Sequence, residues 1–211
     1  MVWAGANAGG VASKLAIQYV KEYIQSEFKN IDESKENVEN LIRTAIINAN
    51  NYVYNKANEN SEYSGMGTTI SVALIIKNKV FIGHVGDSRI YRIRKQIMRQ
   101  LTKDHSYVQE LLQKGEITKE KAENHPQKNI LMKVLGCEKE LEPDVMTRGF
   151  LKDDILMMCS DGLTNMIEIE EIHDEISGGK GNFKSICNKL INKSNSNGGY
   201  DNVSVILVLG D

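Results

Sequence analysis

The sequence predicts an α+β fold in which two pairs of helices pack on two mostly antiparallel β-sheets as a layered sandwich. Residues 11–59 hold two stretches whose apolar residues recur at helical spacing. Residues 68–101 change to short β-branched runs separated by turns, and residues 145–209 read as two strands, two helices and a strand. Each apolar face must be buried against another element, and stacked layers achieve this burial.

The first helical stretch is marked by Val11, Leu15, Tyr19 and Tyr23, which recur every four residues and therefore share one face. A polar break separates it from a second stretch, which runs from residue 38 to about residue 59 with the same kind of apolar face. Neither stretch carries residues that suggest a site. Both are predicted to pack against a sheet.

Four short runs rich in β-branched residues follow, at residues 68–76, 80–85, 89–93 and 97–101. The connections between them are turns of a few residues, including the Gly86-Asp87-Ser88 turn. Short connections suit antiparallel neighbours, so the four runs are predicted to form one continuous antiparallel meander.

A polar segment at about residues 105–136 interrupts the strand pattern and is predicted to be a surface flap on a single domain that spans residues 1–211. It contains two short helical pieces, and Thr118 is the expected cap of the second. Two histidines of the flap, His105 and His125, are predicted to be surface or capping residues.

The last part of the chain returns to strands and helices. Strands are predicted at residues 145–149 and 155–159, helices at 167–176 and 183–193, and a terminal strand at 203–209. Asp161 follows the second of these strands, and Asp201 opens the terminal one.

These two aspartates are the candidate functional residues, because side chains at strand–loop junctions can converge on one rim of a sheet. Two converging carboxylates repel each other, and a bound divalent cation relieves that repulsion. Hard cations such as Mg²⁺ and Mn²⁺ require oxygen ligands of this kind. The alternative is that Asp161 merely caps the helix that follows it.

Composition restricts the class of protein. A length of 211 residues suits one domain, and a net charge of −2 argues against a nucleic-acid-binding protein. No apolar run approaches the roughly 18 residues of a membrane helix, and no signal peptide is recognisable. The three cysteines match no zinc pattern. A reducing, cytoplasmic location is expected.

Five short motifs occur in order along the chain. They are Gly65-Met66-Gly67-Thr68-Thr69, Val85-Gly86-Asp87-Ser88-Arg89-Ile90-Tyr91, Leu101-Thr102-Lys103-Asp104-His105-Ser106, Cys159-Ser160-Asp161-Gly162-Leu163-Thr164-Asn165 and Gly198-Gly199-Tyr200-Asp201-Asn202-Val203. With these motifs in this order, the chain resembles the metal-dependent protein phosphatases of type 2C in their bacterial form.

The resemblance implies a four-layer α-β-β-α sandwich and hydrolysis of phosphoserine and phosphothreonine in proteins by a metal-activated water, with no side chain assigned as the catalytic group. It implies Mn²⁺ or Mg²⁺ as cofactor, with Asp161 and Asp201 as ligands and Asp104 as a ligand of a further, weaker metal. It also implies that the partners are phosphorylated proteins, the substrates of a serine/threonine kinase.

The beginning of the chain departs from the family pattern. The stretch Asn7-Ala8-Gly9-Gly10-Val11-Ala12-Ser13 matches a family motif, but Gly10 stands where the family usually has Glu and Ala6 where it usually has His. The early acidic ligand falls on Met1 or is missing, and the phosphate-binding arginine has no counterpart. The N-terminal strands are therefore expected to be missing.

Two hypotheses follow from this departure. The first is a phosphatase whose 211 residues have weak or no activity. The second is a catalytically silent module that binds phosphoproteins or a kinase. Missing strands would also leave unpaired sheet edges, which favour a dimer or aggregation. Normal Mn²⁺-dependent hydrolysis of an aryl phosphate would overturn the expectation of weak or no activity.

Overall fold

A computed structural model describes residues 6–179 and 181–211, with side chains from residue 9 onward within those ranges. The described part forms two compact units, the first from residues up to Gly86 together with Asp104–Gly149, the second from Asp87–Lys103 and Phe150–Asp211. The expectations for residues 1–5, for the side chain of Ala6 and for strands before them lie outside the described residues.

The elements in chain order are α1 (Ala6–Glu27), α2 (Lys35–Glu59), β1 (Ile70–Ile76), β2 (Lys79–Val85), β3 (Arg89–Arg94), β4 (Ile97–Gln100), α3 (Tyr107–Gln113), α4 (Lys119–Glu123), β5 (Asp144–Gly149), β6 (Ile155–Cys159), α5 (Asp161–Thr164), α6 (Ile169–Gly178), α7 (Phe183–Ser196) and β7 (Val205–Leu209). Within the described residues, none of the helices combines the length and apolarity required to cross a bilayer.

The first unit packs α2 on a three-stranded antiparallel sheet of order β1-β2-β5. Gly83 in the middle of β2 makes this packing close, since a Cβ there would lie 2.4 Å from Ile42 Cγ2 and 2.5 Å from Ile46 Cδ1. The helix begins at the N-cap Ser34, whose side chain accepts a hydrogen bond from Asn37 N–H. The buried core of this unit therefore lies between the helix and the sheet.

The second unit contains a four-stranded antiparallel sheet of order β4-β3-β6-β7. Apolar residues of β3, β6 and α5–α7 form one core, which includes Met157, Leu163, Ile172 and Ile186. Because β6 and β7 are antiparallel and Cys159 pairs with Val205, the end of β6 and the beginning of β7 lie side by side. This register positions the candidate site.

The prediction of an α+β fold with antiparallel sheets is confirmed, but the prediction of one continuous meander is wrong. Strands β1 and β2 belong to one sheet and β3 and β4 to another. In a meander, β3 would pair with the side of β2 that faces away from β1. That side pairs instead with β5, which comes much later in the chain. The break falls at Gly86, whose φ of 106° is unfavourable for other residues.

The turn before β6 is organised by Asp154, whose side chain is 2% exposed. Its two carboxylate oxygens accept from Arg94, from Nε at 2.7 Å and Nη2 at 2.6 Å, and Oδ2 also accepts from Leu151 N–H at 2.7 Å. Burial raises the pKa of Asp154, but the Arg94 guanidinium and the Leu151 N–H outweigh it and hold that pKa below its usual value of 3.8.

Replacing Asp154 with asparagine should therefore lower the unfolding free energy by about 2 kcal/mol at neutral pH, because charge-assisted hydrogen bonds are lost. Since the pKa is lower in the folded state, the carboxylate contributes its stability above the unfolded-state pKa and loses it as the pH falls through the folded-state value. Urea titrations should show the difference between wild type and Asp154→Asn shrinking below about pH 4. The exposed neighbour Asp153 is the control, since Asp153→Asn should change little. A difference that does not depend on pH would contradict this account.

Candidate metal centre

Asp161 stands at the end of β6, where the apolar strand ends at Cys159 and a short helix begins. Ser160 is the N-cap of α5 and Asp161 is its first residue, so Asp161 is not the cap that the alternative interpretation required. Its carboxylate is partly buried. The carboxylate thus lies at the C-terminal end of β6, an interior strand of the second unit's sheet.

Asp201 lies in the loop that leads into β7, and hydrogen bonds from Ser160 tie this loop to the end of β6. Ser160 Oγ donates to Asn202 O at 3.1 Å and accepts from Ser204 N–H at 3.0 Å, and Ser160 N–H donates to Ser204 O at 3.1 Å. The segments that carry Asp161 and Asp201 are therefore joined by three hydrogen bonds through one residue.

Gly162 makes the approach of these two segments possible. A Cβ at this position would lie 2.6 Å from Asn202 O and 3.4 Å from Asp201 O. Its own carbonyl accepts a hydrogen bond from Ser194 Oγ at 2.8 Å, and Ser194 on α7 is fully buried. The backbone after Asp161 is thus held between α7 and the Asp201 loop.

The negative charge of Asp201 is close enough to Asp161 to influence the ionisation of the Asp161 carboxyl group. Burial raises the pKa of Asp161, and the negative charge of Asp201 raises it further, while the Gly162 N–H and the Arg89 guanidinium act in the opposite direction. Bringing two carboxylates together in this way costs free energy that a divalent cation would recover.

The carboxylate oxygens of Asp161 and Asp201 suit a hard cation that keeps part of its water shell. Among the residues that the structure describes, no group of three or more His, Cys, Asp or Glu side chains could hold a metal ion, so the carboxylate pair would act with water. Mg²⁺ commonly binds through one or two carboxylates and keeps several waters, as this pair would require. Asp161 and Asp201 are the residues that could hold such an ion.

Two side chains that the sequence analysis missed fix the Asp161 segment. Asn165 Nδ2 donates to Asp161 Oδ2 at 3.2 Å, and its spacing of four residues from Asp161 was an available signal. Ser194 gave no such signal, because it lies 32 residues from Gly162 in the sequence, in a polar part of α7.

Asp104 lies in the first unit, just before the flap helices, and is half-buried. Of the two roles predicted for its neighbour His105, surface residue or capping residue, the first is wrong, since the side chain is 9% exposed. The His105 ring accepts from Gly86 N–H at Nδ1 (3.1 Å), and its Nε2 lies 3.2 Å from Asp144 Oδ2. Burial lowers the pKa of His105, and Asp144 offsets this only in part. Asp104 therefore begins a rigidly held segment.

Comparisons with known proteins agree on one family. Residues 4–111 match the family described as Protein phosphatase 2C. The serine/threonine phosphatase stp of Listeria monocytogenes is 40% identical over 207 residues, covering 98% of this chain and 81% of that protein. The protein phosphatase PhpP of Streptococcus pneumoniae is 37% identical over 205 residues, covering 97% of this chain and 81% of that one.

Solved structures give the same result. The serine/threonine phosphatase PstP/Ppp of Mycobacterium tuberculosis superimposes with a TM-score of 0.87 at 31% identity, over 99% of this chain and 85% of that one. A structure of the catalytic domain of the phosphatase PstP, in complex with two manganese ions, has a TM-score of 0.83 at 29% identity, over 99% of this chain and 84% of that one.

Proposed function

We infer that this chain, which belongs to the protein phosphatase 2C family, removes phosphate from phosphoserine and phosphothreonine in proteins with the help of Mn²⁺ or Mg²⁺. The observation that carries the proposal is the pairing of Asp161 and Asp201 across one backbone junction tied by Ser160, where the negative charge of Asp201 raises the pKa of Asp161. Relatives that bear the name serine/threonine phosphatase, and a neighbour that binds manganese, support it.

In this proposal Asp161 and Asp201 hold the metal, and a bound divalent ion would supply an activated water and neutralise phosphoryl charge. The chain's own contribution is to keep the two carboxylates oriented. Asn165 holds Asp161 Oδ2, and Asn202 N–H donates to Asp201 Oδ1 at 2.6 Å. Such donors limit rotation of the ligands and so reduce the entropy lost when the ion binds.

Asp104 is proposed as the ligand of a further, weaker metal. Its support is its position within a motif that resembles the family's and the rigid attachment of the adjacent His105 to Gly86 through the ring and the backbone. The organisation as a single domain, with a flap at about residues 105–136, stays a prediction.

The alternative of a catalytically silent binding module is not favoured, because relatives at about 40% identity are named as phosphatases and this chain contains both Asp161 and Asp201. The expectation of weak turnover stays a prediction. Phosphorylated proteins are the substrates, and we propose that a serine/threonine kinase produces them in the cytoplasm.

Self-association through sheet edges is part of the proposal. Strand β7 is the last strand of its sheet in the described part of the chain, and its five residues, Val205–Leu209, carry no charge. Ile206 and Leu209 on this strand are 55% and 51% exposed. An uncharged edge strand invites pairing with a second copy, and light scattering that shows only monomers at micromolar concentration would contradict this.

The function is tested by measuring phosphate release from a phosphoserine peptide. Release should require Mn²⁺ or Mg²⁺ and fall about 100-fold or more on adding EDTA, because the activated water is then lost. Restoring the metal should restore release, which distinguishes metal dependence from denaturation. Equal release with and without chelator would refute the proposal.

A further inference from the structure

We propose that Tyr200 is a specificity-determining residue of the phosphatase site, and that its ring binds an apolar side chain next to the phosphorylated residue of the substrate. This inference rests on the proposed function and names the class of peptide that the site prefers. Tyr200 immediately precedes Asp201 and is 85% exposed, an unusual exposure for a large aromatic side chain.

The ring of Tyr200 has a defined position despite its exposure. Gly198 and Gly199 have φ values of 135° and 57°, in the region that glycine tolerates best. A Cβ at Gly198 would lie 2.8 Å from Tyr200 Cε2 and 3.2 Å from Cδ2, so the ring lies directly against Gly198. A Cβ at Gly199 would lie 3.3 Å from Asn195 O on α7. The two glycines therefore allow the loop to fold with the ring beside it.

The ring borders an open cavity of about 440 Å³ that Asp201 also lines. Ile191, Asn195, Asn202 and Val203 also line this cavity, and its accessible surface is mostly polar. A polar lining of this kind suits the N–H and C=O groups of a peptide backbone, and the exposed Tyr200 ring is the large apolar surface beside it. A ligand in this cavity is adjacent to the proposed metal ligand.

These features select a class of substrate. An aromatic ring with an exposed face gains free energy when an aliphatic or aromatic side chain covers it. The asparagine amides can donate to and accept from peptide groups on either side of that residue. We therefore expect phosphopeptides with a large apolar residue beside the phosphoserine to be preferred over those with glycine there.

The test compares kcat/KM for two phosphoserine peptides of equal length and charge, with leucine or glycine at the positions flanking the phosphoserine. Wild type should prefer the leucine peptide by about five- to tenfold, a factor expected for one buried apolar contact. Tyr200→Ala should lose most of this preference through a higher KM, and Tyr200→Phe should retain it because the ring remains. Ile97, 65% exposed in the same unit, provides the control, and Ile97→Ala should keep the wild-type ratio.

The outcomes separate this inference from the proposed function. If Tyr200→Ala prefers the leucine peptide as strongly as wild type does, the inference about Tyr200 is refuted. Metal-dependent hydrolysis by the same variant would still support the proposed function. If wild type hydrolyses neither peptide nor 4-nitrophenyl phosphate, the function fails, and fluorescence anisotropy of labelled peptides then decides about Tyr200. Weaker binding of the leucine peptide to Tyr200→Ala would support the inference, and unchanged binding would refute it.

Discussion

Replacing Asp201 with asparagine should abolish the stabilisation of the protein by Mn²⁺ and leave the metal-free protein at least as stable as wild type. The loss of Mn²⁺ stabilisation and the unchanged or higher metal-free stability have one cause, the charge of the Asp201 carboxylate. Without metal, the negative charge of Asp201 opposes ionisation of Asp161, so neutralising Asp201 removes a repulsion. With metal, the same carboxylate is a ligand in the proposed site, so its loss should weaken binding.

The expected size follows from mass action. At a Mn²⁺ concentration about 100 times the dissociation constant, binding stabilises the folded state by about 2.7 kcal/mol. For a chain of this length, 1 kcal/mol corresponds to about 2–4 °C in Tm, so wild type should gain about 5–10 °C. Thermal unfolding with Mn²⁺ and with EDTA should show this gain in wild type and almost none in Asp201→Asn.

The control for this experiment is Asp174, an aspartate of the same unit whose side chain is 84% exposed. Asp174→Asn should keep the full Mn²⁺ effect, since surface substitutions away from a site change little. A metal-free Asp201→Asn protein that unfolds well below wild type would show that the carboxylate has a structural role instead.

Replacing Gly162 with alanine should damage both stability and metal binding, because the new methyl group would lie 2.6 Å from Asn202 O. The contact is with backbone, which cannot move aside like the end of a flexible side chain. Overpacking of this kind costs about 1–3 kcal/mol. The same displacement would separate Asp201 from Asp161, so the Mn²⁺ stabilisation should also fall.

Gly178, at the end of α6, is the matched control. A Cβ at Gly178 would have no neighbour within 4 Å, and alanine in a helix is favoured over glycine by about 0.5–1 kcal/mol. Urea titration should therefore show Gly178→Ala as stable as wild type or more so. A Gly162→Ala protein with wild-type stability and wild-type Mn²⁺ response would contradict the account of the junction.

The parts of the fold that depend on local pattern were predictable from the sequence. Strand β6 has the predicted bounds, and Thr118 caps α4 as expected. Each of these depends on residues within one turn or one strand, where the period of the apolar residues and the capping side chain are decisive. The assignment of Asp161 and Asp201 as metal ligands stays a prediction.

The parts that depend on pairing between distant segments were not predictable. The partner of β2 is β5, about 60 residues later in the chain, and nothing in the turn at Gly86 indicates that β3 joins a different sheet. The burial of His105 likewise depends on Asp144 from β5. The hydrogen bond from Ser194 to Gly162 was not predictable either, because a serine in a polar stretch of helix does not indicate which distant residue it contacts.

The most direct test of the central claim, that Asp161 and Asp201 together bind a divalent cation, is the anomalous difference density at the manganese absorption edge in crystals grown with Mn²⁺. The account predicts a peak about 2.0–2.3 Å from carboxylate oxygens of both aspartates. Manganese peaks bound elsewhere, with the two carboxylates turned away from each other, would contradict it.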